Sequence, residues 1–281
     1  MSLPREAQEF LISLVGKSPN TKRLYQHVLS EFIKYHGNLK TLTAADTIQY
    51  LSNLEKRGLS KNTLRITVIV LKSWLKTIGR NDIAETIRPI REAKTPPVAL
   101  PEDNISRMIA AADNPRDTLI VLALRNSGIR VSELLNIQVQ DIDFKEGVIR
   151  VFGKGGKTRL VLIDSKTLQA ITNYLQDRTS GPIFNISPNY VRTIIKDLAK
   201  KAGLENWQKI HPHLLRHAFA INWVKSGGDV EGLRRLLGHE SLETTRIYLD
   251  FDFGHVKDTY RKITERSDKA TKAQSMEETN Q

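Results

Sequence analysis

Two adjacent prolines, Pro96 and Pro97, with Pro101 close behind, constrain this chain more than any other feature. Proline has no N–H for a helix and pushes the preceding residue toward extended backbone. The run Glu92-Ala-Lys-Thr-Pro-Pro-Val-Ala-Leu100 therefore reads as a linker, with helical patterns on either side. This predicts a front domain over 1–91, a linker over 92–100, a second domain over 101–264 and a polar tail over 265–281. A chain of 281 residues, 40% of them hydrophobic, can supply a core to each domain.

The front domain reads as four short helices. The first spans Pro4 to Val15. Ser18-Pro19 caps and opens the second, which Gly37 stops; Thr43 caps a third that ends at Gly58; Ser60 caps a fourth that ends at Gly79. In the fourth, Leu64, Val68, Leu71, Leu75 and Ile78 form one apolar stripe at helical spacing. By physics alone this is a small helical bundle. It is strongly basic: residues 1–91 hold 15 Lys and Arg against 7 Asp and Glu, within a chain of formal net charge +12. Such a surplus suits a polyanion, because each neutralised phosphate releases counterions.

The second domain opens with helices over 102–112 and 115–127. Two β-branched runs, Gly147–Phe152 and Arg159–Ile163, flank the Gly-rich turn Gly153–Lys157 and read as a hairpin. Helices return over Ser165–Asp177, Pro188–Ala202 and Pro212–Lys225, with shorter ones near Val230–Leu237 and Leu242–Leu249. The chain contains no cysteine, which excludes disulfides and thiolate zinc sites. There is no apolar leader and no stretch approaching the ~20 apolar residues of a membrane span. The expected setting is cytoplasmic, without a membrane.

Four strings in this half carry chemistry. They are S-G-I-R-V-S-E-L-L (127–135), G-K-G-G-K-T-R (153–159), H-P-H-L-L-R-H-A-F (211–219) and L-L-G-H-E-S-L-E-T-T-R-I-Y (236–248). They hold Arg130, Lys154, His213, Arg216, His239 and Tyr248. In their order, and in the spacings His213-x-x-Arg216 and His239 to Tyr248, they resemble the tyrosine recombinase (phage integrase) family, in particular its Xer-type members. The resemblance covers roughly 101–248, and the four front helices resemble the family's core-binding domain. The second string is not a nucleotide-binding P-loop, since it lacks the G-x-x-x-x-G-K-[ST] spacing.

Cutting a phosphodiester without a metal takes a nucleophile, positive charge on the non-bridging oxygens, an acid for the leaving oxygen and a base for the nucleophile. The resemblance makes Tyr248 the nucleophile, with Tyr260 its nearest rival. Guanidinium presents paired donors to phosphate and stays protonated, so Arg130 and Arg216 read as a clamp. Glu133, three residues after Arg130, is within reach to hold it. By resemblance Lys154 is the general acid, with Lys157 in the same turn as rival, His213 accepts the Tyr248 proton, and His239 bonds the scissile phosphate. His211, His213 and His217 lie close in sequence, but without H-E-x-x-H or cysteine they make a poor metal set. His211 and His217 read as structural. Ser127-Gly-Ile129, Ala218 and Gly232 depart mildly from the family pattern, Gly232 because glycine weakens a helix interior.

The expected fold is mostly α with a small antiparallel β-sheet, arranged as a two-domain C-shaped clamp on double-stranded DNA. The activity implied is site-specific recombination through a 3′-phosphotyrosyl link and a free 5′-hydroxyl, with no cofactor or metal, in a homo-tetramer holding two DNA sites. A type IB topoisomerase-like or telomere-resolving enzyme, and a catalytically silent DNA-binding protein of the same fold, are the alternatives. Phe253, Val256, Tyr260 and Ile263 recur at three- and four-residue spacing, predicting a short amphipathic helix. It docks on its own subunit or, as the resemblance implies, on a neighbour.

Overall fold

In a computed structural model that describes residues 3–37, 39–91, 98–153 and 156–248, the chain divides into two units, Met1–Thr95 and Pro96–Gln281. Lys154, the segment with Phe253, Val256, Tyr260 and Ile263, and most of the Pro-rich linker lie outside the described residues.

The front unit holds α1 (Arg5–Ser13), α2 (Pro19–His36), α3 (Ala44–Lys56), α4 (Lys61–Thr77) and α5 (Asn81–Thr86). The expected caps form. Ser18 and Ser60 accept the backbone N–H groups of Thr21 and Thr63, and Thr43 exchanges bonds with Asp46 in a capping box. The α4 stripe is buried at Leu64, Val68, Leu71 and Leu75, with Ile78 packed at its edge. Trp74 and Phe32 join it, their rings 6.0 Å apart edge to face. Helix α5 escapes the sequence pattern because six residues are too few to show a period.

The second unit holds α6 (Glu102–Ala110), α7 (Pro115–Ser127), α8 (Val131–Asn136), strands β1 (Ile142–Asp143), β2 (Val148–Phe152) and β3 (Thr158–Leu162), then α9 (Ser165–Leu175), α10 (Pro188–Lys201), α11 (Pro212–Lys225), α12 (Val230–Leu237) and α13 (Glu243–Arg246). The middle of α7 is apolar all round; Leu119 through Leu124 are all buried, and the helix packs against α9 and α11. The strands form an antiparallel sheet in the order β1-β2-β3, with Val148 opposite Leu162 and Phe152 opposite Thr158. Ile149, Val151 and Val161 face the core, while Phe152, Leu160 and Leu162 are exposed on the other side. This is the hairpin read from the sequence, with β1 added at its edge.

Two glycines place the site. Gly128 ends α7 at φ +61°, where a Cβ would stand 2.4 Å from the Phe219 ring and 2.9 Å from Leu237. The turn thus lets α7, α11 and α12 close on one point, with Arg130 just beyond it. Gly232 sits in α12 for a similar reason. A Cβ there would lie 2.7 Å from Asp229 Oδ2 and 3.3 Å from Trp223, because Asp229 caps the helix and its carbonyl accepts the Trp223 indole N–H. Close packing, not helix propensity, explains the residue that the sequence pattern left unexpected.

Candidate active site

Arg130 caps α8, and its backbone N–H donates to Glu133 Oε2 at 2.8 Å. Its Nη1 donates to Glu133 Oε1 at 2.9 Å and to the Leu237 carbonyl at 3.4 Å. Its Nε and Nη2 hold no hydrogen bond among the described residues, and the side chain is 37% exposed. This end of Arg130 is available to an anion. Arg216, on α11 three residues after His213, is buried. It donates to the carbonyls of Gly128 and Leu237 and to His239 Nε2, the last at 3.0 Å. Burial, and then Arg130, lower its pKa to about 10, with Glu133 opposing; it stays protonated at neutral pH.

The bond from Arg216 determines the His239 tautomer. A guanidinium only donates, so Nε2 accepts and Nδ1 carries the proton, which it gives to Thr245 Oγ1 at 2.9 Å. Burial, then the charges of Arg216, Arg130 and Arg159, lower the His239 pKa to about 4. Arg130, Arg216 and His239 therefore converge around the Leu237 carbonyl, at the end of α12.

Tyr248 follows α13 and is 2% exposed, packed with Ala220, Val224, Leu233 and Leu237. Burial raises its pKa, while Arg216 and Arg130 pull it down. Its hydroxyl lies 2.8 Å from His217 Nδ1. The resemblance hands the phenol proton to His213; the hydrogen bond the hydroxyl makes among the described residues is to His217. His213 holds no hydrogen bond to Tyr248 among the described residues; it is exposed in the first turn of α11, its ring 6.1 Å from that of His211. The two histidines are four residues apart and share one helix face. The phenol approaches from the α13 end and meets the later one. His217, read from the sequence as structural, is bonded to a tyrosine hydroxyl.

Arg159 is the residue that sequence reasoning missed. On β3 it shares the inner face with Val161, and it donates to Glu133 through both Nη atoms at 2.9 Å and to the Leu236 carbonyl through Nε at 2.8 Å. Burial favours the neutral Glu133 carboxyl, but the Arg159 bond, the Arg130 amide and both guanidinium charges outweigh it and hold its pKa at about 2. The signal was available. Strand alternation points Arg159 inward, and a buried arginine needs a carboxylate. Lys157, the rival within the hairpin turn, makes an exposed ion pair with Glu240 at 3.1 Å. Among the described residues, no group of three His, Asp or Glu side chains could hold a metal ion, and no helix is long and apolar enough to cross a membrane.

These shifts predict a pH response. Burial and the charges near it also hold His217 at about 4, against an ordinary imidazole near 6.5. Between pH 6.5 and 4 the unfolded chain binds protons that folded His217 and His239 refuse, so stability falls as pH falls. Glu133, held at about 2 against 4.5, adds a second loss below pH 4.5. Calorimetry should show the melting temperature declining from pH 7 to pH 4; a flat profile across that range would contradict these environments.

Comparison with known proteins agrees with this geometry. Residues 99–255 match the phage integrase family, and residues 7–81 match the phage integrase N-terminal SAM-like domain. Tyrosine recombinase XerA of Pyrococcus furiosus is 37% identical over 261 residues, covering 88% of this chain and 89% of the relative. The crystal structure of XerA recombinase shares 27% identity over 92% of this chain and 98% of that one, with a TM-score of 0.53. The fold also matches that of XerH site-specific recombinase bound to palindromic difH substrate in a post-cleavage complex, at 20% identity and a TM-score of 0.71 over 90% of this chain and 83% of that one. The chain belongs to the phage integrase family and is an Xer-like tyrosine recombinase.

Proposed function

We propose that this tyrosine recombinase cuts and rejoins double-stranded DNA at a specific site, with Tyr248 as nucleophile. The observation that carries the reading is the convergence of Arg130, Arg216 and His239 on one point, with both arginines acting electrostatically on the Tyr248 phenol. The Tyr248 oxygen bonds to phosphorus as the bond to the 5′ oxygen breaks, leaving a 3′-phosphotyrosyl link and a free 5′-hydroxyl. Arg130, Arg216 and His239 bind the non-bridging oxygens, where charge builds in the transition state. Lys154, by family resemblance, gives the leaving oxygen its proton. A 5′-hydroxyl from a second duplex then reverses the step. No metal or nucleotide is needed, because the phosphotyrosine keeps the bond energy. The basic front unit, Met1–Thr95, grips the duplex beside the site. Four copies holding two sites, as the resemblance implies, would exchange the strands.

A suicide substrate nicked beside the cut site, incubated with protein in excess EDTA, tests the reading. Covalent capture is expected, followed by joining to a second duplex. No capture would favour a silent DNA-binding protein, and capture only with a divalent ion would favour a metal mechanism. The Lys154 role has its own test. Lys154→Ala should fail on ordinary DNA and recover on DNA with sulfur at the 5′ bridging position, since a thiolate leaves without a proton. Recovery in Lys157→Ala instead would move the acid to Lys157.

A further inference from the structure

We infer that Arg159 is a positioning residue for strand cleavage, fixing Arg130 and the Gly238-His239 turn against each other; this rests on the reading of Arg130, Arg216 and His239 as the phosphate site. The Arg159 side chain is itself committed to protein acceptors. Its Nη1 and Nη2 donate to the two oxygens of Glu133, each at 2.9 Å, and its Nε donates to the Leu236 carbonyl at 2.8 Å. It is 13% exposed, against 37% for Arg130. A guanidinium whose fork is filled by a carboxylate does not offer that fork to a phosphate. Arg159 acts through the residues it holds.

Those residues are the ones that aim the site. Glu133 Oε1 accepts from Arg159 Nη1 and from Arg130 Nη1, both at 2.9 Å. Arg130 Nη1 also reaches the Leu237 carbonyl at 3.4 Å. The carbonyl one residue earlier, that of Leu236, is the one Arg159 takes. The bonds thus close a ring, from Arg159 to Glu133, to Arg130, to the last turn of α12 and back to Arg159. It joins β3, α8 and α12. Carbonyls in the last turn of a helix have no partner within it and carry the negative end of its dipole, so this end of α12 suits guanidinium groups. Arg216 donates to the same Leu237 carbonyl at 2.8 Å. Both clamp arginines are therefore set against one point, and Arg159 fixes where that point lies relative to Glu133.

His239 is tied to the ring by its neighbour. Gly238 leaves α12 at φ +64°, and a Cβ there would stand 3.0 Å from Arg159 Nη1 and 3.1 Å from its Cδ and Cζ. The guanidinium lies against the backbone from which His239 follows. Glycine serves twice here, for its left-handed backbone and for the room it leaves Arg159. Without Arg159, Glu133 still pairs with Arg130 but loses its link to Leu236, and Gly238 loses the surface it rests on. Arg130 and His239 then shift independently. An ammonium supplies charge, but not a planar fork for both Glu133 oxygens with a separate N–H for Leu236.

The test compares single-turnover formation of the covalent complex, at saturating DNA, on two nicked suicide substrates. One has an ordinary scissile phosphate. The other has a methylphosphonate there, which lacks one non-bridging oxygen and its charge, so the clamp has less to neutralise. Arg159→Met should slow cleavage of the ordinary DNA about 100-fold, the cost of misplacing a reacting group by about 1 Å, with DNA affinity unchanged. On the methylphosphonate its penalty relative to the wild type should shrink to a few-fold, in parallel with that of Arg130→Ala. Arg159→Lys keeps a charge beside Glu133, and so tests the role even where the methionine variant does not fold. It should show a smaller loss that shrinks in the same way. A residue that merely stabilises the fold would cost the same factor on both substrates. An Arg159→Lys protein as fast as the wild type on ordinary DNA would overturn the assignment, as would either variant losing the same factor on both. Arg130→Ala separates the two levels. If its own penalty were equal on both substrates, the clamp reading would fall, and the Arg159 role with it.

Discussion

Tyr248→Phe should abolish cleavage while leaving DNA affinity nearly unchanged. The substitution removes one oxygen from a ring that packs against Ala220, Val224, Leu233 and Leu237, and phenylalanine fills the same space. The loss is confined to the nucleophile and to its bond with His217. Removing a nucleophile from an enzyme that acts through a covalent intermediate costs on the order of a million-fold in turnover. Binding to duplex DNA is dominated by phosphate contacts with Lys and Arg, to which a buried phenol adds little. Gel-shift titration beside a covalent-capture assay measures both quantities on one preparation. A phosphotyrosyl complex persisting in Tyr248→Phe would move the chemistry to another tyrosine, with Tyr260 the first to examine.

Glu133→Ala is expected to damage both stability and catalysis. Glu133 is 4% exposed and shared between Arg130 and Arg159, which is itself 13% exposed. Removing one partner from a buried ion pair leaves a charge without compensation, at a cost of about 3–5 kcal/mol. Here the stranded group is chiefly Arg159, whose two Nη atoms both lose their acceptor. Arg130 loses the carboxylate that orients it and the bond to its own backbone N–H. A clamp misplaced by about 1 Å loses on the order of 100-fold in rate. Arg159→Lys should reproduce part of the defect, because an ammonium cannot match both carboxylate oxygens with a planar fork. Denaturant titration gives the stability loss and single-turnover cleavage gives the rate. A Glu133→Ala protein with wild-type stability and rate would mean that the network is ornamental.

The contrast between Arg130 and Arg159 shows what the sequence carried and what it did not. Arg130 stands in a string whose neighbours identify it, after the end of an apolar helix and three residues before its own carboxylate. Arg159 stands at the exit of a Gly-rich turn, where an arginine is usually solvated. Strand alternation puts it on the inward face with Val161, but its partners, Glu133 on α8 and the Leu236 carbonyl on α12, are set by tertiary approach. Thr245 is similar: its bond to His239 depends on how α13 folds back after α12. The histidines mark a finer limit. Periodicity places His213 and His217 on one face of α11, but which of them meets Tyr248 depends on tertiary approach, and the structure selects the later one. The long helices were legible because capping residues and apolar stripes bound them. The six-residue helices α5 and α8 and the two-residue strand β1 carry too few positions for a pattern to emerge.

The central claim is that one phenol, Tyr248, makes the covalent bond to DNA, at a point defined by Arg130, Arg216 and His239. The most direct measurement is to trap the complex on a nicked suicide substrate, digest protein and DNA, and identify the nucleotide-bearing peptide by mass spectrometry. The result expected is a single peptide containing Tyr248 linked through its oxygen to a 3′-phosphate, with a free 5′-hydroxyl on the released strand. A link at any other residue, or a 5′-phosphoryl attachment, would contradict it.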